Sequence, residues 1–163
     1  YALILLREKE YPCVFYGDYY GVPNNNLPPV AELPKLMELR KNVAYGEQVD
    51  YFDDPSMVGW VRCGDEEHDP SGLVVLMTIG AGGTKKMFVG EEKAGMVYED
   101  VMEKVADTVV IGKDGYGEFL VKDGSMSIWM PNGEKVEAAE LEELEKKKEE
   151  SREEKEQREG NEG

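Results

Sequence analysis

The chain has 163 residues, of which 40% are hydrophobic and 33% are charged, and its formal net charge at pH 7 is −16. This length and apolar content suffice for one domain with its own hydrophobic core, with or without appended segments. The strong negative charge argues against a nucleic acid or an anionic membrane surface as a partner, because the phosphates of either would be repelled. The sequence contains no apolar run long enough to cross a membrane.

The first 43 residues predict helices around one strand. Residues 1–9 predict an amphipathic helix. Residues 11–21 have the composition of a buried strand, because β-branched and aromatic side chains lie between a proline and a Gly-Asp pair. A loop rich in proline and asparagine over 22–34 leads into a second helix over 30–43.

The order helix, strand, loop and helix is typical of a β/α barrel or a doubly wound sheet. In both folds, the groups that bind ligands follow the C-terminal end of a strand. We therefore expect Asp18, Tyr19 and Tyr20 to lie at the functional face of such a sheet.

After residue 43 the pattern changes to short strands separated by turns rich in glycine and aspartate. Regularly spaced short strands with such turns predict an antiparallel sandwich or a Greek-key barrel, so we expect residues 44–131 to be all-β. The predicted strands are 57–62, 73–78, 85–89, 96–98, 108–111, 118–121 and 126–129.

Residues 132–163 form a tail of different composition. From residue 134 onward it holds thirteen Glu and seven Lys or Arg but few apolar residues. Glu and Lys three or four positions apart favour a solvated single helix, although disorder also fits this composition. Two leucines cannot build a sustained coiled-coil seam, so a partner-binding helix is the weaker alternative.

Several motifs resemble those of the α-amylases, specifically the liquefying bacterial type and its intracellular relatives. Residues 11–21 resemble the eighth barrel strand of that family, and the resemblance continues in unbroken order to about residue 131. One such motif would be weak, whereas a series in the same order is specific. The motifs are Tyr11-Pro12-Cys13-Val14-Phe15-Tyr16-Gly17-Asp18-Tyr19-Tyr20-Gly21, Leu39-Arg40-Lys41-Asn42, Ala44-Tyr45-Gly46-Glu47-Gln48, Asp50-Tyr51-Phe52-Asp53, Val58-Gly59-Trp60, Gly80-Ala81-Gly82-Gly83, Gly115-Tyr116-Gly117-Glu118-Phe119 and Gly124-Ser125-Met126-Ser127-Ile128-Trp129.

The resemblance implies a division into three parts. Residues 1–43 would be the remnant of a (β/α)8 barrel, with the end of helix 7, strand 8 and helix 8. Residues 44–131 would be the C-terminal domain, an antiparallel Greek-key β-sandwich. Residues 132–163 would be a charged helical or disordered tail without a counterpart in the family. The sequence departs from the family at Glu10, where a glycine usually ends the preceding helix.

The resemblance also implies an enzyme that acts on α-1,4-glucans such as starch or glycogen. Hydrolysis of a glucan needs two carboxylates that flank the glycosidic bond. In the α-amylases these groups lie on earlier barrel strands, so no catalytic residue is carried onto this sequence, and the chain alone is expected to be inactive. Asp18 and Tyr16 are the candidate substrate contacts, and a supporting role at the exit of the strand is the alternative for Asp18.

Calcium is the ion that the resemblance implies for the intact enzyme. Some relatives hold it between barrel and C-terminal domain, through an Asp before the Val-Gly-Trp strand and another before the glycine-rich segment. Ser56 and Ile79 occupy those positions here. Because calcium prefers several carboxylate and carbonyl oxygens, we predict that this site is lost and that the chain has no metal site. Residues 53–56 are then expected to form a turn.

Three other features are given structural roles. His68 is the only histidine and is expected to be an exposed residue of an acidic loop, because a triad or a zinc site needs more partners. Residues 80–83 lack the Lys-Ser/Thr of a phosphate-binding loop and predict a hairpin turn. Four aromatic side chains are expected in the core, with stacking on sugar rings as the alternative: Trp60, Tyr116, Phe119 and Trp129.

The two cysteines, Cys13 and Cys63, are predicted to be free buried thiols, which favours a reducing compartment and therefore the cytoplasm. No signal peptide is visible, although the chain opens with Tyr1 rather than Met. Two alternatives to an amylase segment stay open. One is a stand-alone β-domain that binds a glucan or another partner, and the other is a truncated product without independent function.

Overall fold

The computed structural model describes residues 1–160, which are mainly antiparallel β-sheet and end in a long helix. Within these residues, no helix has the length and apolar character needed to cross a bilayer. The helices are α1 (Ala2–Leu5), α2 (Tyr16–Tyr20), α3 (Leu33–Asn42) and α4 (Ala138–Gly160). The strands are β1 (Gln48–Asp54), β2 (Met57–Arg62), β3 (Leu73–Thr78), β4 (Gly83–Phe88), β5 (Met96–Asp100), β6 (Val109–Val110), β7 (Tyr116–Val121) and β8 (Met126–Lys135).

Six strands form one sheet in the order β1-β2-β3-β8-β5-β6, and β4 pairs with β7 in a second sheet of two strands. Every ladder in the two sheets is antiparallel. The bounds of β2 and β3 agree with the sequence prediction, because their continuous apolar runs are buried near the centre of the large sheet. The expectation of a mainly β, antiparallel protein is therefore confirmed.

The small sheet covers one face of the large sheet. Phe119 of β7 lies 5.8 Å, between ring centroids, from both Tyr98 of β5 and Trp129 of β8. Met87 of β4 is buried in the same cluster. Side chains of this size contribute much of the apolar area that drives folding, so this cluster is the main core.

The N-terminal helices cover the opposite face of the large sheet. Leucines spaced three apart along α3 are buried there with Leu6, against Trp60 and Ile128 of the sheet. Pro34 in the first turn of α3 and Arg40-Lys41 in its last turn agree with the preferences of helix ends. The protein therefore has two cores, one on each side of the large sheet.

The strand predicted over residues 11–21 is wrong. Residues 11–15 have no regular secondary structure, and α2 occupies the second half of the motif. Tyr11 is 92% exposed. Cys13 and Cys63 were both predicted to be buried, and this prediction is wrong, because both are exposed. A strand is stabilised by a neighbour that pairs its N–H and C=O groups, and within residues 1–160 no strand pairs with this segment. The helix predicted over 1–9 is likewise reduced to the four residues of α1.

The β region also differs from prediction in places. Strand β1 was not predicted, because the polar residues of its sequence Gln-Val-Asp-Tyr-Phe-Asp-Asp hide the alternation expected of a strand. Strand β8 extends to Lys135, beyond the predicted end at 129, and pairs with β5 along that extension. Residues 80–83 do not form a hairpin turn, because β3 and β4 lie in different sheets and this segment crosses between them. The turn predicted over 53–56 is confined to its last two residues.

Residues 138–160 of the charged tail form a helix, as one of the two sequence expectations stated, whereas residues 132–135 belong to β8 and residues 161–163 lie outside the described part of the chain. Helix α4 is not fully solvated, however, because Leu141 is buried. Glu142 forms an ion pair with Lys113, and Arg152 forms another with Glu118 of β7. One side of the helix therefore packs against the small sheet and the loop before it.

Candidate functional site

The two predicted substrate contacts lie on α2 rather than at the end of a strand. Asp18 accepts a hydrogen bond from the Tyr1 hydroxyl, and this bond raises the pKa of that hydroxyl. The backbone carbonyl of Asp18 accepts a further bond from Val30 N–H at 2.7 Å. In this structure Asp18 therefore connects α2 to α1 and to the segment before α3, which agrees with the supporting role left open above.

Tyr16 belongs to an exposed group of rings that we call the aromatic surface, comprising Tyr11, Phe15, Tyr16 and Tyr20. Tyr16 is 72% exposed and Phe15 is 64% exposed. The rings of Tyr16 and Tyr20 are 4.5 Å apart between centroids. Exposed rings this close offer a contact area to another chain segment or to a sugar ring.

Three of the four aromatic residues considered as sugar contacts are core residues, as predicted. Trp60, Phe119 and Trp129 are fully buried and out of reach of a ligand. The fourth, Tyr116, is exposed on the edge of the small sheet, where its ring centroid lies 5.1 Å from that of Phe88. Lys86 Nζ is 5.0 Å from the Tyr116 centroid, within range of a cation–π contact. Phe88 and Tyr116 thus form an exposed aromatic pair separate from the aromatic surface.

His68 is more constrained than an exposed loop residue. Its Nδ1 lies 2.7 Å from Asp65 Oδ1, and its ring stacks on Tyr45 with 3.6 Å between centroids. The stack leaves the imidazole half-buried. Within residues 1–160 no group of three or more His, Cys, Asp or Glu side chains is placed to hold a metal. These two contacts hold His68 within the loop between β2 and β3.

Ser56 and Ile79, which occupy the calcium positions of some relatives, are direct neighbours. Ile79 N–H donates to Ser56 O at 3.2 Å, and the Thr78 hydroxyl donates to the same oxygen at 2.9 Å. The Ile79 side chain is 90% exposed and brings only carbon atoms. Nearby carboxylates already hold other groups: Asp54 accepts Ser56 N–H, and Asp53 is paired with Lys85. These donors do not fit calcium, which needs several converging oxygens.

A basic groove was missed at the sequence level. It has a volume of about 600 Å³ and lies where α1 and α3 meet the large sheet. Its charged lining consists of Arg7, Arg40, Lys41 and Arg62, with Glu8 as the one acidic residue. The cationic residues come from three separate parts of the chain, so no local sequence motif predicts the groove.

Comparison with known proteins confirms the resemblance found in the sequence. An α-amylase of Geobacillus stearothermophilus is 48% identical over 132 residues, and the cytoplasmic α-amylase of Escherichia coli (strain K12) is 33% identical over 141 residues. A glucan 1,4-α-maltohexaosidase of Bacillus sp. (strain 707) is 48% identical over 131 residues. Each match covers 80% of this chain but only 24%, 28% and 25%, respectively, of the relative.

Over the matched stretch, the chain is therefore similar in sequence to the α-amylases, and it spans about a quarter of the length of the curated relatives it matches. No protein-family model matches the chain. A solved AmyP variant in complex with maltotriose aligns with a TM-score of 0.43 at 11% identity, over 60% of this chain and 19% of that one.

Proposed function

We propose that this chain is the C-terminal part of an α-amylase-type glycoside hydrolase that hydrolyses α-1,4-glucans such as starch or glycogen. Residues 1–43 are the last unit of its (β/α)8 barrel. Residues 44–131 are its C-terminal domain, for which the two packed antiparallel sheets support a Greek-key sandwich. The extent of the match, a quarter of each relative, supports this assignment.

The observation that carries the proposal is the aromatic surface. Tyr11, Phe15 and Tyr16 lie in the motif that resembles the eighth barrel strand, and all three are largely exposed. Rings of this kind are normally covered by a partner or by other parts of the protein. In the complete barrel, neighbouring strands would cover this segment and pair its backbone, and Asp18 and Tyr16 would then face the glucan.

The chain alone is inactive under this proposal, because the catalytic carboxylates of the family lie on earlier barrel strands. Incubation of the purified chain with amylose should therefore release no reducing ends above the buffer control. Release of reducing ends that grows with protein concentration would contradict the proposal. A companion test is an immunoblot of the source extract with an antibody to residues 50–62, where a band well above 18.3 kDa is expected. A band at that mass alone would favour an independent β-domain.

A glucan-binding module is the second candidate, favoured by the exposed pair of Phe88 and Tyr116. Sugar rings bind to exposed aromatic faces, and Asp114 and Lys86 beside the pair offer polar contacts. In a native gel containing glycogen, the chain should then migrate more slowly, and Tyr116→Ala should abolish the retardation. Phe52→Ala, which removes an exposed ring of β1, is the matched control. Equal migration with and without glycogen excludes this candidate.

The proposed location is the cytoplasm. Both cysteines are free thiols, and one relative is named as a cytoplasmic α-amylase. The proposal includes no calcium between the barrel and the C-terminal domain, because Ser56 and Ile79 lack the carboxylates that the ion requires. Nucleic acids and anionic membranes are not proposed as partners, since the net charge of −16 disfavours both.

A further inference from the structure

The basic groove concentrates positive charge on a strongly acidic protein. Four of its lining side chains are cationic and one is acidic, whereas the chain as a whole carries −16. Glu8 compensates only part of this charge, because it brings one negative charge against four positive ones. One of its carboxylate oxygens also accepts Gln48 N–H at 3.4 Å. The groove is thus a positively charged region on a protein whose net charge is negative.

Arg62 carries a desolvated charge without a carboxylate partner. The residue is only 6% exposed, and burial lowers the pKa of its guanidinium, an effect that the negative charge of Glu8 opposes. Its three hydrogen bonds run to backbone carbonyls, two to Gly46 O at 3.0 and 3.1 Å and one to Leu6 O at 3.3 Å. Buried charges are normally paired with a charge of opposite sign.

Arg40 and Arg7 also have donors to spare. Arg40 donates one bond, to Leu5 O at 2.6 Å, and within residues 1–160 neither Arg40 nor Arg62 takes part in an ion pair. Arg7 Nε is buried without a hydrogen-bond partner, and its terminal nitrogen is 3.9 Å from Asp50. A guanidinium has several N–H donors arranged to bind planar or tetrahedral oxyanions.

We propose that the basic groove binds a small oxyanion, with phosphate or a carboxylate as the ligand chemistry. Arg7, Arg40 and Lys41 supply the donors that contact the anion, and Arg62 supplies buried charge behind them. The backbone carbonyls of Leu5 and Leu6, at the end of α1, accept hydrogen bonds from Arg40 and Arg62, respectively. These hydrogen bonds also orient the two guanidinium groups. The proposal concerns the chain itself and does not depend on glucan hydrolysis.

The test is a titration of the purified chain with inorganic phosphate at pH 7 and constant ionic strength, followed by the ³¹P line width and by calorimetry. Constant ionic strength is needed because salt screens any charged surface. Saturable binding is expected in the unchanged chain. Lys41→Gln and Arg40→Gln should each weaken it about tenfold, the loss expected for one charge-assisted hydrogen bond. Lys41 is exposed, so its replacement keeps the test valid if Arg40→Gln fails to fold.

Arg152→Gln is the control, because this arginine lies on α4 and pairs with Glu118 away from the groove. It should bind phosphate as the unchanged chain does. Competition with acetate then distinguishes the two ligand types: displacement of phosphate indicates that the groove also takes carboxylates, and no displacement indicates a phosphate site. Unsaturable binding, or the same affinity in the Lys41, Arg40 and Arg152 variants, overturns the proposal.

Discussion

Asp100, at the end of β5, accepts the backbone N–H of Ile128 of β8 at 2.9 Å. The same carboxylate accepts three further backbone N–H groups, from Met102, Lys104 and Val105, at 2.9–3.0 Å. Asp100 is buried, so its charge is balanced by these four donors rather than by water. One side chain therefore organises the loop after β5 and attaches it to the centre of the large sheet.

We predict that Asp100→Asn lowers the free energy of unfolding by about 3 kcal/mol or more. The amide presents N–H groups where the carboxylate accepted them, which leaves buried backbone donors unpaired. Chemical denaturation followed by tryptophan fluorescence measures the change. Asp107→Asn, in the exposed part of the same loop, should have almost no effect. Equal stability of the two variants would show that the carboxylate is dispensable.

Ser127 provides a second buried polar link. Its hydroxyl accepts the Trp129 indole N–H at 2.8 Å and donates to Leu120 O at 2.6 Å, and the residue is fully buried. Ser127→Ala leaves both partners unsatisfied, so we expect a loss of about 1–3 kcal/mol in unfolding free energy. Ser125→Ala removes a half-buried hydroxyl with one long bond of 3.4 Å and is the matched control. A loss of the same size in both variants would contradict this account.

Calcium should not stabilise the chain. With Ser56 and Ile79 at the positions where some relatives place carboxylates, we expect the same melting temperature in millimolar calcium and in chelator. The double variant Ser56→Asp/Ile79→Asp restores two carboxylates and should gain a calcium-dependent increase in melting temperature. An increase in the unchanged chain would refute the prediction.

The docking of α4 should depend on pH. The hydrogen bond from Lys113 holds the pKa of Glu142 below its ordinary value of 4.5. Because the folded pKa is the lower one, the contribution of this pair is fully present above pH 4.5 and is lost as the pH falls through the folded pKa.

The measurement is an NMR titration of the Lys113 backbone amide, which donates to Glu145 of α4 at 2.8 Å. The chemical shift of this amide is expected to change as the pH is lowered below 4.5. Glu142→Gln should remove the part of the change that the Glu142 carboxylate contributes. Added salt at neutral pH should weaken the ion pair between Lys113 and Glu142, because both side chains are exposed. An identical titration in the variant would exclude Glu142 as the titrating group.

Sequence patterns were most successful where a segment is buried by its immediate neighbours. The apolar runs of β2 and β3 predicted both strands and their bounds, and the burial of Trp60, Phe119 and Trp129 followed from their positions in strands. Residue spacing likewise predicted α3, whose leucines lie on one side. In these segments, local propensity and long-range packing favour the same conformation.

The candidate sites were less predictable. Asp18 was expected at the exit of a strand, but it lies on α2 and binds Tyr1. The basic groove depends on Arg7, Arg40 and Arg62 meeting across the fold, which no local spacing reveals. Sites built from distant residues become visible when the elements that carry them are placed together.

Composition, periodicity and the motif series were sufficient to predict the mainly β fold, the antiparallel strands and the relation to the α-amylases. The conformation of residues 11–21, the crossing at 80–83 and the docking of α4 depended instead on tertiary contacts. The physical reason is that a paired strand or a docked helix is stabilised by the part of the protein against which it packs. A window of sequence describes only the segment itself, whereas the residues against which it packs lie elsewhere in the chain.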